Sequence, residues 1–293
     1  MNRFQLPPWL RKDGAAAVLF LAPSISGFSL FYMVPFAMSV YYSFTGKVHG
    51  GSFVGFANYR ELLSGSSFRQ AAFNSMLFTG IGVPILIALS LILALILNRQ
   101  MWLKNGLQTA FVLPLVVPVA SIVMIWKIFI DWNGALNALL HSVGLPRVDW
   151  LNSNGSMTVL IAIYIWKNLG YNMILFLAGL QSIPQSYYET ARIEGAGRLR
   201  QLLGVTIVYL IPTIVFVILI SIVNSFKVFR ETYMLAGDYP YDRIYMMQHY
   251  MNNMFFSLDV QKLTAAAALM VGFIVILATG LLTVERRFQE NLE

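Results

Sequence analysis

Six stretches of the chain are apolar for about 20 residues or more and almost free of charge: roughly 15–41, 75–97, 107–130, 157–180, 206–229 and 263–283. Each is long enough to cross the hydrocarbon core of a bilayer as a helix. The pattern predicts an all-α membrane protein with six transmembrane helices joined by polar segments. Pro35, Pro84, Pro114, Pro118 and Pro212 fall inside these runs, where neighbouring helices can satisfy the carbonyls that a proline frees. Pro114 and Pro118, four apart, predict a kink in the third span. Two polar segments, 55–63 and 131–145, predict short amphipathic helices on the membrane surface. The first would turn Phe56, Tyr59, Leu62 and Leu63 inward, and the second would align Leu136, Leu139 and Leu140. No repeat or flexible linker interrupts the chain. It divides into an N-terminus (1–14), a peripheral first helix with an external segment (15–74), a five-helix core (75–285) containing a polar loop (184–206), and a C-terminus (286–293).

Composition sharpens the class. Of the 293 residues 58% are hydrophobic and 11% charged, against about 25% charged in a soluble domain. A net charge of +7 raises the question of nucleic acid, but the basic residues sit between apolar runs and form no face or tail. The absence of cysteine excludes disulfides and thiolate metal sites. The first apolar run continues to Tyr42 and reads as a span, not a cleavable signal. Arg3, Arg11, Lys12, Arg99, Lys104, Arg192, Arg198, Arg200, Arg286 and Arg287 fall on one side of the spans. Lys47, Arg60, Arg69, Arg147 and Arg243 fall on the other. The richer side is cytoplasmic by the positive-inside rule, so both termini and the 184–206 loop are expected there.

That loop has a legible design. Pro184 stops the fourth span; Ser186 is placed to cap a short helix with Glu189 as its capping-box partner. The helix would run to about Glu194, Gly195-Ala196-Gly197 would turn the backbone, and a second short helix would start at Arg198. Glu194 and Arg198, four apart, are spaced to pair. By these features alone the segment is a rigid knob or an ordinary loop between spans.

The run Glu189-Thr190-Ala191 … Glu194-Gly195-Ala196-Gly197 resembles the coupling loop of the permease subunits of ATP-binding-cassette (ABC) importers. It departs from that pattern at Thr190, at Glu194, and at Ile207-Val208, where the family carries Leu-Pro. The resemblance extends to Phe53-Val54-Gly55-Phe56-Ala57-Asn58-Tyr59, to Trp166-Lys167-Asn168-Leu169-Gly170 and to Leu180-Gln181-Ser182-Ile183-Pro184. These look like the larger-permease branch of maltose, multiple-sugar and glycerol-phosphate systems. The resemblance implies a type I ABC importer permease fold, N-in and C-in, in a bacterial or archaeal cell membrane. It implies docking of residues 189–197 on a separate ATPase that holds the ATP and Mg. The expected partners are a homologous second permease, two copies of that ATPase, an extracytoplasmic sugar-binding protein and membrane lipid. No cofactor and no nucleic acid is expected on this chain. The substrate would be a sugar or oligosaccharide, with a sugar-phosphate as the alternative.

Polar and aromatic groups in the spans suit a sugar path. Tyr164, Asn168 and Tyr171 share one helix face by spacing; the register of the resembled branch puts sugar contacts there and at Leu115, Val119, Ser225 and Val228. Asn224 is a neighbouring polar candidate. Interhelical hydrogen bonding is the competing reading for such residues. Lys167 and Lys227 are costly inside a span, unless their long stems carry the charge to the surface, as Lys127 is placed to do. If Lys167 does so, its replacement by methionine should spare transport of a neutral sugar and abolish that of a sugar-phosphate. Catalytic signals are missing: no phosphate-cradling glycine loop is present, and His49, His141 and His249 are isolated on external segments. An ion-driven secondary transporter needs an acidic group at membrane depth, and none of the six runs carries one.

Overall fold

A computed structural model describes residues 12–47, 51–98 and 104–290; Arg3, Arg11, Arg99 and His49, together with residues 1–11 and 291–293, lie outside them. The described residues are mostly helical, and the sole β pairing among them is an isolated bridge between Thr45 and Phe53. Six helical stretches are long and apolar enough to cross a membrane.

The first is α1 (Lys12–Phe28) continued by a π turn (Ser29–Met33) into α2 (Val34–Ser43). The π turn sits just before Pro35, whose missing N–H interrupts the i−4 ladder. This rod is peripheral: residues 17–38 are almost wholly exposed, and α2 leans on the last helix. Its end is tied to α3 (Ala57–Ser64), where Asn58 Nδ2 donates to the Ser43 and Thr45 carbonyls at 2.8 and 3.0 Å. Leu62 is buried and Tyr59 half-buried, but Phe56 and Leu63 point outward, so α3 seals with a narrower stripe than its spacing predicts.

The second span, α4 (Ser66–Leu97), begins nine residues before its apolar run. Its polar first turns are anchored to a loop far along the chain: Asn74 Nδ2 donates to the Asp242 and Tyr245 carbonyls at 2.6 and 2.9 Å. The third span is not kinked but broken. α5 (Lys104–Val116) ends before Val117, and α6 (Val119–Ile130) starts after Pro118, which sits in an extended conformation (ψ 141°). The residue before a proline is disfavoured in the α region, and that converts the expected kink into a break. α7 (Ala135–Ser142) turns Asn137 inward, not Leu139: Asn137 Nδ2 donates to the Asp131 and Val148 carbonyls.

α8 (Ser156–Ser182) is the centre of the bundle. α5 approaches it so closely that a Cβ on Gly170 would lie 2.0 Å from the Phe111 carbonyl oxygen, the close backbone contact that small residues permit between membrane helices. The short helices α9 (Gln185–Ile193) and α10 (Arg198–Gln201) follow, then a π turn (Leu202–Thr206) and α11 (Ile207–Phe226). Helix therefore runs without a break from Arg198 into the fifth span, past Ile207-Val208. α11 is held to α8 by Tyr164 Oη donating to the Ser221 carbonyl at 2.7 Å and Asn172 Nδ2 to Ser221 Oγ at 2.8 Å. Thr79 on α4 meets Ser225 on α11, hydroxyl to hydroxyl, at 2.8 Å. These interhelical bonds sit in a core in which Phe78, Leu86, Leu160 and Tyr164 pack together.

Two helices were not expected from the hydrophobic pattern: α12 (Phe229–Ala236), packed on α6, and α13 (Met247–Phe256), packed on α14 (Val260–Glu290). His249, on α13, is fully buried against the Phe229 ring, 4.8 Å away.

Candidate functional site

Two places concentrate the residues singled out above: the knob at 184–206 and a cavity beside α8. In the knob, Pro184 caps α9 in an extended conformation, and no side chain bonds the cap. The expected Ser186–Glu189 capping box does not form, because Ser186 already lies inside the helix that Pro184 starts. The C-terminus closes in a Schellman motif. Gly195 N donates to the Arg192 carbonyl at 3.0 Å, Ala196 N donates to the Ala191 carbonyl at 2.8 Å, and Gly195 takes φ +77°. A left-handed residue at this place favours glycine, which has no Cβ to clash. Gln201 Nε2 reaches back to the Ala196 carbonyl at 2.8 Å and locks α10 against the turn. Glu194 and Arg198 form no ion pair; Gly195 turns α9 away before α10 begins.

Glu189, Thr190, Glu194, Gly195 and Gly197 are exposed, and Ala191 and Ala196 half-buried. Ile193 and Leu199 are also bare, 87% and 70% exposed. The opposite side of α9 is fastened to the bundle. The Tyr187 and Tyr209 rings lie 4.5 Å apart, and Tyr188 and Thr206 hydroxyls meet at 3.0 Å. α9 is thus joined to α8 through Pro184, to the π turn through Tyr188 and to α11 through Tyr187.

The cavity, about 120 Å3, lies between α5, α8, α11 and α12. Leu115, Tyr164, Lys167, Asn168, Asn224, Lys227 and Val228 line it, joined by Ile163 and Glu231, which the pattern did not single out. Tyr171, Val119 and Ser225 lie elsewhere: Tyr171 is half-buried deeper along α8, Val119 packs with Ile122 and Ile163, and Ser225 is engaged with Thr79. Tyr164 lines the wall but is only 2% exposed; its hydroxyl is spent on Ser221 and Phe78 packs edge-on against its ring at 5.2 Å. Its face is closed to stacking in this conformation. Asn168 Nδ2 donates to the Tyr164 carbonyl at 2.8 Å.

Lys167 does not reach for the surface. Its Nζ forms an ion pair with Glu231 Oε1 on α12, and Glu231 is 2% exposed. The carboxylate offsets the charge that makes a buried lysine expensive. The condition under which methionine could replace Lys167, a charge carried to the surface, is therefore not met, and that change would strand a buried carboxylate. Glu231 escaped notice because it follows the fifth apolar run in a polar stretch, and only the return of α12 against the bundle buries it.

The description "binding-protein-dependent transport system inner membrane component" belongs to a family model that matches residues 86–289. Among curated proteins, the sulfoquinovosyl glycerol transport system permease protein SmoG of Agrobacterium fabrum is 32% identical over 80% of each chain. The arabinooligosaccharides transport system permease protein AraP of Bacillus subtilis is 33% identical over 75% of this chain and 72% of its own. A chain of a bacterial ABC transporter involved in the import of the acidic polysaccharide alginate superposes with a TM-score of 0.80. That match has 22% identity and covers 95% of this chain and 97% of that one, a likeness of fold. From residue 86 to near its C-terminal end, then, this chain is a member of the binding-protein-dependent transport system inner membrane component family.

Proposed function

We propose that this chain is a pore-forming permease subunit of an ATP-driven importer for a sugar or oligosaccharide, coupled to a separate ATPase through residues 189–197. The observation that carries the coupling is the knob: rigid, glycine-closed, bare on one face and fastened on the other to the two helices beside the cavity. ATP and Mg belong to the partner ATPase, which in two copies would push α9 as its nucleotide sites close. That push would tilt α8 and α11 and shift the population between inward- and outward-open states. A homologous second permease completes the path, an extracytoplasmic binding protein delivers the sugar, and the knob and both termini face the cytoplasm. The sugar class follows from the relatives, whose names include lactose, arabino-oligosaccharide and trehalose/maltose systems, and from a cavity walled by amide, ammonium and carboxylate groups. A sugar-phosphate has weaker support, because Lys167 is already neutralised.

The test is reconstitution with its partner subunits in proteoliposomes. Trehalose, lactose, arabinotriose and an alginate disaccharide are screened for binding-protein-stimulated ATP hydrolysis and uptake. Stimulation by at least one of them is expected; silence across sugars, with stimulation by an amino acid or peptide, would overturn the sugar assignment.

A further inference from the structure

We propose that Glu231 sorts substrates by charge in this cavity: one carboxylate oxygen neutralises Lys167, and the other takes a hydrogen bond from a hydroxyl of a neutral sugar. The inference rests on the proposed sugar path and adds a residue to it. Glu231 lines the cavity with Lys167, Asn168, Asn224 and Lys227. Its Oε1 is held by Lys167 Nζ, whereas Oε2 is buried with no hydrogen-bond partner in the protein. An ionised carboxylate is purely an acceptor with several lone pairs, and leaving one oxygen unsatisfied in a buried place is costly. A polyhydroxylated ligand supplies the donor that is missing. The terminal torsion of glutamate is broad and roughly two-fold, so the carboxylate can turn toward a ligand while keeping Lys167.

Charge bookkeeping makes the second half of the argument. Lys167 and Glu231 cancel, and among the described lining residues Lys227, whose Nζ lies 3.4 Å from Asn224 Oδ1, is the cation left over. A carboxylate-bearing sugar next to Glu231 would meet a like charge at short range, whereas a neutral one meets an acceptor. Loss of the Glu231 charge would free Lys167 and turn the wall strongly cationic.

The experiment uses the reconstituted complex, with uptake of trehalose, lactose, arabinotriose and an alginate disaccharide measured for each variant. Assembly is read by co-purification of the partner subunits. In Glu231→Gln, uptake of the neutral sugar carried by the wild type should fall about tenfold, the factor for one charge-assisted hydrogen bond. The ratio of acidic to neutral uptake should rise by a similar factor. The double variant Lys167→Met/Glu231→Leu removes the pair without stranding a charge. It should assemble, yet stay at least tenfold down on the neutral sugar through a raised KM. Wild-type uptake by the assembled double variant, or an unchanged acidic-to-neutral ratio in Glu231→Gln, would overturn the proposal and reduce the pair to a structural tie. A wild-type complex that transports none of the four sugars but another solute would instead overturn the sugar reading, and this inference with it.

Discussion

Gly195 shows how much one residue can be asked to do. Its φ of +77° costs an L-residue about 1–2 kcal/mol, yet a Cβ there meets nothing within 4 Å of the chain itself. The constraint inside this chain is therefore the backbone angle, not space. Gly195→Val is expected to insert into the membrane normally while recovery of the ATPase partner on co-purification falls about tenfold. Gly195→Asn, which tolerates the left-handed region, should keep most of it. Equal loss in both would mean that the docking surface, and not the turn, excludes a side chain. The glycines of this turn were readable from sequence because a helix C-terminus has local backbone demands. The absence of the Ser186 cap was not, because helix start is decided by whether Pro184 itself enters the extended cap position.

His249 makes a second residue-scale case. Burial pushes its imidazole down to about 4 from an ordinary 6.5, against a smaller upward pull from Asp238. A lowered base pKa means that the unfolded chain takes up protons first as pH falls below 6.5, so stability contributed by the neutral ring is full above 6.5 and lost progressively down to about 4. Thermal melts of the detergent-solubilised complex should show that fall, on the order of 3 kcal/mol in total. His249→Gln should flatten it over the same window. An unchanged pH profile in that variant would remove His249 as its source.

Between elements, the contact of α5 with α8 is the least forgiving. A Cβ at Gly170 would lie 2.0 Å from the Phe111 carbonyl oxygen, whereas one at Gly272 on α14 meets nothing within 4 Å. Gly170→Ala should destabilise the folded chain by at least ~1–3 kcal/mol through overpacking, visible as a lower melting temperature and reduced yield. Gly272→Ala should be within experimental error of wild type, and equal melting of the two variants would show that α5 yields freely. The tie of α8 to α12 gives a further contrast. Lys167→Met should destabilise by about 3–5 kcal/mol because it leaves Glu231 buried and unpaired, while adding Glu231→Leu should restore most of that loss. The span positions were legible in the hydrophobic runs. The break at Pro118 and the helices α12 and α13 were not, since short helices without long apolar runs take their identity from what they pack against.

At the scale of the molecule, orientation is open to a direct check, because the chain contains no cysteine. Single cysteines at Thr190 and Asn152, both exposed, report on opposite sides. A membrane-impermeant maleimide should label Asn152→Cys in intact cells and Thr190→Cys only in inverted vesicles. The reverse labelling would invert the topology and move the knob away from any cytoplasmic ATPase.

Which segments cross the membrane, where the backbone must turn after α9, and which family motif the turn carries all depend on neighbours within a helical turn or on a 20-residue sum of hydrophobicity. Such properties are written locally and survive any arrangement of the helices. The cavity depends on something else. Tyr164, Asn168 and Tyr171 share a face of α8, but Phe78 of α4 packs against the Tyr164 ring, α11 holds its hydroxyl, and the cavity does not extend to Tyr171. The partner of Lys167 comes from 64 positions further along the chain. Which side chains meet there is set by how closely the helices cross, as at Gly170 and Phe111, and helix crossing is a sum over packed surfaces that no local pattern contains.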